Sequence, residues 1–389
     1  NTQFSPWPSF TQEEADAVSR VLLSNKVNYW TGQECREFEK EFAAFAGTKY
    51  AVALANGTLA LDVALKAMDI GTGDDVIVTS RTFLASASAI VTAGANPVFA
   101  DVDLNSQNIS ADTIQAALTP TTKAIIVVHL AGMPAEMDAI MALAEKHKLW
   151  VIEDCAQAHG ARYKGRPVGS IGHVGAWSFC QDKIMTTGGE GGMVTTNDKA
   201  LWLKMWAYKD YGKSYDAVYH REHAPGFRWL HESFGTNWRM MEMQAVIGRI
   251  QLKRMPDWTA KRQANAAKLA QSLGKFACIR MVDVPDYIEH AQYKFYAFVN
   301  TGRLKAGWTR DRIVDELNAL KVPCYQGSCS EVYLEKAFDN TPWRPQQRLK
   351  NAVELGDTSL MFLVHPTLTE AETAFCCQHI EAVLTQACA

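Results

Sequence analysis

The chain has 389 residues, 48% hydrophobic and 21% charged, which suits a globular protein large enough for two or three packed units. Its 39 basic and 42 acidic residues leave a net charge of -3, and no long basic run offers a nucleic-acid groove or a polybasic membrane patch. No apolar stretch approaches bilayer-spanning length. The nine scattered cysteines lack paired CxxC spacing and read as reduced thiols of a cytoplasmic protein, not a zinc site.

Residues 1–7 carry neither the basic nor the apolar region of a secretory signal. Apolar residues recur at helical spacing over 11–23 and 34–46. From residue 50 the pattern changes to short apolar runs, 50–54, 75–79, 97–101, 123–128 and 149–153, alternating with helical segments such as 58–68 and 136–147. Strands that are apolar on both faces and separated by helices predict an α/β fold: a large domain with a mostly parallel mixed sheet covered by helices. Two further runs, 175–179 and 192–196, flank a Gly-rich turn. The segment 209–236, rich in Tyr, His and Gly, reads as a long functional loop. A helix over about 242–272 leads out of this unit. Expected strands at 278–284 and 293–300 and helices at 309–319 and 369–386 make a smaller C-terminal α+β domain. The expected division is 1–255 and 256–389.

Four segments fall where a parallel sheet binds ligands, at the carboxyl ends of strands. Ala55-Asn56-Gly57-Thr58 joins a strand to a helix start, whose free amides attract a phosphate, although Thr58 serves equally as an ordinary helix cap. Ser80-Arg81-Thr82-Phe83 follows the next strand, and Phe83 is either core or a platform for a flat ring. Glu153-Asp154-Cys155-Ala156-Gln157-Ala158-His159-Gly160 places a carboxylate, Asp154, at a pocket floor, where it suits a protonated ring nitrogen or simply caps a turn. Lys183 ends Trp177-Ser178-Phe179-Cys180-Gln181-Asp182-Lys183 and precedes four glycines within 188–192. Glycines let backbone approach a ligand closely, and a lysine in a dry pocket becomes a usable amine nucleophile. A phosphate-binding P-loop is excluded there, because no Gly-Lys-Ser/Thr follows the glycines. His129, Asp154, Cys155 and His159 have metal-ligand residue types without metal-ligand spacing, so no metal is expected.

Together these segments resemble the DegT/StrS-type sugar aminotransferases, which are fold-type-I pyridoxal-phosphate enzymes. The resemblance runs nearly end to end: Tyr29-Trp30-Thr31-Gly32, Ala55-Asn56-Gly57-Thr58, Ser80-Arg81-Thr82-Phe83, Val128-His129-Leu130-Ala131-Gly132, Glu153-Asp154-Cys155-Ala156-Gln157, Ser178 to Gly192, and Gly235-Thr236-Asn237-Trp238-Arg239-Met240. It implies that the cofactor is pyridoxal 5'-phosphate. In it Lys183 is the Schiff-base lysine, Asp154 the partner of the pyridine nitrogen, and Gln157 the neighbour of the ring hydroxyl. Phe83 is the stacking aromatic, and Gly57, Thr58 and Ser178 are phosphate contacts. Asn237 would reach the phosphate held by a neighbouring subunit, so a cytoplasmic homodimer with shared sites is implied. The chain departs from the family around the lysine. Gln181 and Asp182 stand where many relatives have Pro and Thr or Gly, and Ile184 stands where many have Asn. These departures bear on the loop contacts and not on Lys183. A lysine, where related dehydratases have histidine, implies the aminotransferase branch.

The implied reaction moves an amino group from glutamate to a keto or aldehydo sugar of cell-surface polysaccharide or lipopolysaccharide synthesis. Most relatives use nucleotide-linked keto sugars. The segment Cys180-Gln181-Asp182-Lys183-Ile184-Met185 is similar to that of enzymes that aminate an 8-oxo-3-deoxy-manno-octulosonate. An acidic sugar would need cations, for which Arg81, Arg228, His231, Arg239 and His223 are candidates, each of which could instead play a surface or salt-bridge role. A regulatory protein that binds the cofactor without turnover is the alternative class.

Overall fold

The computed structural model describes residues 4–389. Nine strands belong to the first part of the chain: β1 Tyr50–Leu54, β2 Asp75–Thr79, β3 Asn96–Ala100, β4 Thr122–Val128, β5 Trp150–Asp154, β6 Arg162–Tyr163, β7 Arg166–Pro167, β8 Val174–Ser178 and β9 Gly192–Thr196. Seven of them form one sheet in the order β1-β9-β8-β5-β4-β2-β3. Only β9 runs antiparallel to its neighbours; β8, β5, β4, β2 and β3 are parallel. The fold is thus the mostly parallel mixed sheet that the alternating apolar runs predict.

Both faces of the sheet are buried, which is why its strands are apolar without alternation. Val76 and Val78 pack with Leu61 and Ala64 of the helix Gly57–Ala67, while Ile77 between them packs on the other side with Ile140. Towards β9 the second face is covered by the helix Glu34–Phe45, whose Phe38 and Phe42 meet Trp177 and Phe179. In register, Val128 pairs with Asp154 and Asp154 with Ala176, so the carboxyl ends of β4, β5 and β8 lie side by side.

The remaining strands are β10 Ile279–Met281, β11 Ile288–Glu289, β12 Phe295–Val299, β13 Cys324–Tyr325 and β14 Ser359–Phe362. Four make an antiparallel sheet, β10-β12-β14-β13. The helices Arg310–Ala319 and Glu370–Ala387 cover it, burying Ile313, Leu317, Ile380 and Leu384 against Phe295, Ala297 and Leu360. Thr309 and Thr369 cap these helices by accepting from the amides of Arg312 and Glu372.

The expected division at 255/256 falls inside a continuous 32-residue helix, Glu242–Leu273, which contains Pro256 and packs against both units. The units also exchange segments. β11 pairs with β6 of the large unit, and Ser5 and Pro6 at the start of the chain bond to Glu372 and Thr367 of the small one. The expectation of nine reduced thiols also needs correction. Cys278 and Cys388 are joined by a disulfide with Cα atoms 5.6 Å apart. The fold returns the end of the chain to β10 across 110 residues, a juxtaposition that no local spacing signals. Among the described residues no helix is long and apolar enough to cross a membrane.

Candidate active site

Asp154 is the last residue of β5, and its carboxylate is held in one orientation. Oδ2 accepts the Ser86 hydroxyl at 2.8 Å and Oδ1 accepts the Ala156 amide at 3.1 Å. It is only 7% exposed, and burial raises its carboxyl above the ordinary range, with the donations from Ser86 and Ala156 only partly offsetting this. No Lys, Arg or His among the described residues forms an ion pair with it, so it is a buried acid prepared for a cation.

Lys183 belongs to the turn between β8 and β9. The Trp7 indole donates to its carbonyl at 2.9 Å, and its own amide donates to Cys180 at 3.1 Å. The turn closes through Gly188 and Gly189, whose φ values of 86° and 118° are costly for any other residue. Lys183 Nζ lies 3.7 Å from Asp182 Oδ1 and 5.4 Å from the centre of the Tyr293 ring, and the Tyr293 hydroxyl donates to Asp182. Burial opposes the charge of Asp182, but Lys183 and Tyr293 outweigh it and hold the carboxyl below its ordinary range.

These groups meet at a cavity of 570 Å³ between the two units. Phe83, Gln157 and Lys183 come from the large unit, and Tyr293, Lys294 and Tyr325 from the chain beyond the long helix. Gln157 Oε1 accepts the Ala131 amide at 2.7 Å, which aims its NH₂ away from that contact. Phe83 is 71% exposed, an unusual position for so large an apolar ring unless something lies on it.

The helix Gly57–Ala67 opens beside the same edge. The Asn56 side chain accepts only from Leu59, leaving the first-turn amides of Gly57 and Thr58 for an anion. A Cβ on Gly57 would lie 2.4 Å from Ser178 Cβ, so only glycine lets this helix start touch the end of β8. The chain therefore offers a lysine amine at the cavity wall, a buried acid without a cation, and an amide-and-hydroxyl cradle. This donor set fits pyridoxal phosphate. The Gly57→Ala variant must shift the helix start away from Ser178, and it is expected to bind the cofactor at least about tenfold more weakly, roughly 1.4 kcal/mol. Equilibrium dialysis of cofactor against both proteins checks this.

The candidate substrate cations are not gathered here. Arg81 is fully buried and donates to Gln107 at 3.1 Å, Ser359 at 3.2 Å and the Ser328 carbonyl at 3.4 Å. Its guanidinium ties the units together and is not offered to a substrate. Arg239 is engaged with Asp210 at 2.7 Å. Arg228 and His231 are exposed on the segment 209–236, outside the cavity wall, and His223 bonds to the Ala217 carbonyl. Asn237 is exposed in the same region.

His129, Glu153 and Cys155 bring possible ligand atoms within 4.8 Å of one another. Their bonds are already committed. His129 Nδ1 accepts the Ala135 amide at 3.1 Å, so Nε2 carries the proton that it gives to Glu153 at 2.9 Å. Glu153 also accepts the amides of Gly169, Ile171 and Gly172. Burial opposes its charge, but these donors hold its carboxyl below the ordinary range. His159 packs on Trp177 and Phe179, and burial, with Lys183 and Arg262 nearby, pushes its ring down to about 3. Sequence reasoning did not find Ser86, Tyr293 or Lys294. Each is an ordinary residue type in an ordinary stretch, and only the fold brings it to the site.

Comparison with known proteins follows the same lines. Residues 8–381 match the DegT/DnrJ/EryC1/StrS aminotransferase family. The chain is 39% identical over 371 residues to GDP-perosamine synthase of Caulobacter vibrioides, with 94% of each covered. It is 35% identical over 329 residues to dTDP-3-amino-3,6-dideoxy-alpha-D-galactopyranose transaminase of Aneurinibacillus thermoaerophilus, with 85% of this chain and 86% of that one covered. The X-ray structure of an aminotransferase from Psychrobacter cryohalolentis superposes with a TM-score of 0.97 at 66% identity, covering 98% of this chain and 99% of that one.

Proposed function

Because this chain belongs to the DegT/DnrJ/EryC1/StrS aminotransferase family, and is thus a pyridoxal-phosphate-dependent sugar aminotransferase, we propose that it transfers the amino group of glutamate to a keto sugar carried on a nucleotide. The observations that carry this reading are Lys183 on the cavity wall, Asp154 buried without an ion-pair partner, and Gly57 packed directly on Ser178. The GDP- and dTDP-sugar names of the relatives support a nucleotide-linked acceptor.

Pyridoxal phosphate, when bound, supplies an aldehyde that captures amines and a ring that takes up electrons from the carbon bearing the amine. The chain's own residues do the rest. Lys183 Nζ would hold the cofactor and, as a free amine, would carry a proton off the donor carbon and deliver one to the acceptor carbon. Asp154 keeps a proton on the ring nitrogen by opposite-charge pairing. Gly57, Thr58 and Ser178 bind the phosphate, Gln157 meets the ring hydroxyl, and Phe83 covers the ring face. Anchoring far from the reacting carbon fixes geometry without weakening the chemistry.

The active unit in this reading is a homodimer in which Asn237 reaches the cofactor phosphate of the second copy. Its support is the exposed apolar surface of the neighbouring segment, with Phe227 74%, Trp229 81% and Phe234 100% exposed, which a monomer would leave in water.

A panel of keto sugars, each with and without its nucleotide, assayed with glutamate by formation of 2-oxoglutarate, tests the acceptor. Turnover is expected only with nucleotide-linked members. Preferential turnover of a nucleotide-free octulosonate bearing an 8-oxo group would replace this reading with the second one. That reading is favoured by one feature, Lys294 on the cavity wall with no carboxylate in ion-pair distance among the described residues.

A further inference from the structure

Lys294 immediately precedes β12 and lines the same cavity as Lys183. Its Nζ lies 4.8 Å from the centre of the Tyr293 ring, and Lys183 Nζ lies 5.4 Å from that same centre, so the two ammonium groups flank one phenol. Among the described residues no carboxylate stands within ion-pair distance of Lys294. Asp182 is the one acid that acts on it appreciably, and it is already shared between Lys183 and the Tyr293 hydroxyl. The other acid on the cavity wall, Glu335, is exposed at the rim.

A third cation lies behind this pair. Arg262 of the long helix is 1% exposed, and its Nη1 donates to the Tyr293 carbonyl at 3.3 Å, leaving Nε and Nη2 without partners. Setting aside Lys183, which the aminotransferase reading commits to the cofactor, Lys294 and Arg262 are two cations with no carboxylate in ion-pair distance among the described residues. Burial is the main cause of the shifts here, and the neighbouring cations add to it. Burial pushes the Lys294 ammonium down to about 8, with Arg262 and Lys183 adding to the shift against the opposing pull of Asp182. Burial, then Arg262 and Lys294, pushes the His365 ring down to about 4. An ammonium kept in a partly dry wall without a counter-charge is costly, and an anionic ligand removes that cost.

We propose that Lys294 is the carboxylate-recognising residue of this site, taking a carboxylate of the amino donor or of an acidic sugar acceptor beside Lys183. The proposal rests on the aminotransferase reading above and assigns carboxylate recognition to a residue on the cavity wall itself, whereas Arg81 is engaged with Gln107, Ser328 and Ser359. A lysine suits it. A single compact charge on a flexible stem meets a carboxylate without the fixed fork that an arginine would impose, and Tyr293 and Asp182 restrict where the stem can go.

The test uses the holoenzyme and its Lys294→Gln, Lys294→Met and Lys294→Arg variants. Calorimetry with glutarate, a dicarboxylate that cannot be transaminated, reads the donor arm, and gluconate reads the acidic-acceptor arm. KM and kcat are measured separately for glutamate and for the keto-sugar acceptor. Loss of one charge-assisted contact is expected to weaken glutarate or gluconate by at least about tenfold in the Gln and Met variants and to raise the matching KM similarly. In those variants kcat stays within about threefold and the cofactor spectrum is unchanged, and Lys294→Arg recovers most of the affinity. The arm that moves identifies the carboxylate. Unchanged affinity and KM in both arms overturns the proposal, as does a fall in kcat with both KM values intact. A wild-type enzyme that binds glutarate through Lys294 yet aminates no sugar would sink the acceptor assignment and leave this one standing.

Discussion

Turnover by the Lys183→Ala enzyme is expected to fall by at least about a thousandfold, roughly 4 kcal/mol of barrier. Two separate losses make the effect large. Lys183 is the only amine whose side chain reaches the cavity from the β8–β9 turn, where the Trp7 and Cys180 contacts of its backbone and the positive φ of Gly188 and Gly189 fix its position. In the proposed mechanism, removing it takes away both the covalent hold on the cofactor and the base that moves the proton. Lys294 lines the same cavity but comes from the small unit, outside that turn, and is not expected to substitute. Formation of 2-oxoglutarate from glutamate reads the loss. Borohydride treatment followed by peptide mass analysis is expected to leave the cofactor's mass on Lys183 of the wild type and on no residue of the variant. A wild-type rate in the variant without added amine would show that Lys183 is not the group that reacts.

The Asp154→Asn enzyme is expected to lose at least tenfold in rate, more than about 1.4 kcal/mol, and to retain its cofactor less well. The change is nearly isosteric. The amide oxygen can keep the bond from the Ala156 amide while the NH₂ donates to Ser86 Oγ, whose own hydroxyl turns to Thr82, so the position of the side chain survives while its charge does not. What goes is the opposite-charge partner that keeps the ring nitrogen protonated. Burial makes that partner matter, since little solvent reaches a group 7% exposed. Rates under saturating cofactor, with the cofactor dissociation constant measured separately, distinguish the chemical effect from weaker retention. An unchanged rate at full occupancy would remove Asp154 from the mechanism.

Much of this was legible in the chain. β1 to β5 announced themselves because each is buried on both faces and therefore almost uninterruptedly apolar, and Asp154 and Ser178 are the residues at which such runs stop. The Gly-rich turn marked Lys183 because its backbone geometry has few alternatives to glycine. What could not be read has a common cause. Strands of two residues, such as β11 and β13, carry no periodicity. The Cys278–Cys388 pairing and the Ser86–Asp154 bond join residues far apart in the chain, and local pattern is silent about them. Arg81 was read as a substrate contact because it follows a strand end. It is turned inward instead, because Gln107, Ser328 and Ser359 converge on its guanidinium. Lys294 gave no signal at all, since a lysine before a strand is usually a solvated one.

The inward turn of Arg81 has a consequence for how the enzyme breathes. Two of its three donated bonds, to Ser328 and Ser359, cross from the large unit to the small one in a fully buried place, and the unbroken helix Glu242–Leu273 spans the same junction like a rail. A clamshell rotation of the two units about their junction would strip a buried guanidinium of its acceptors and bend that rail, and both are expensive. Sugar and donor are therefore expected to enter and leave past small rearrangements at the mouth, where Phe83 and Tyr325 are exposed.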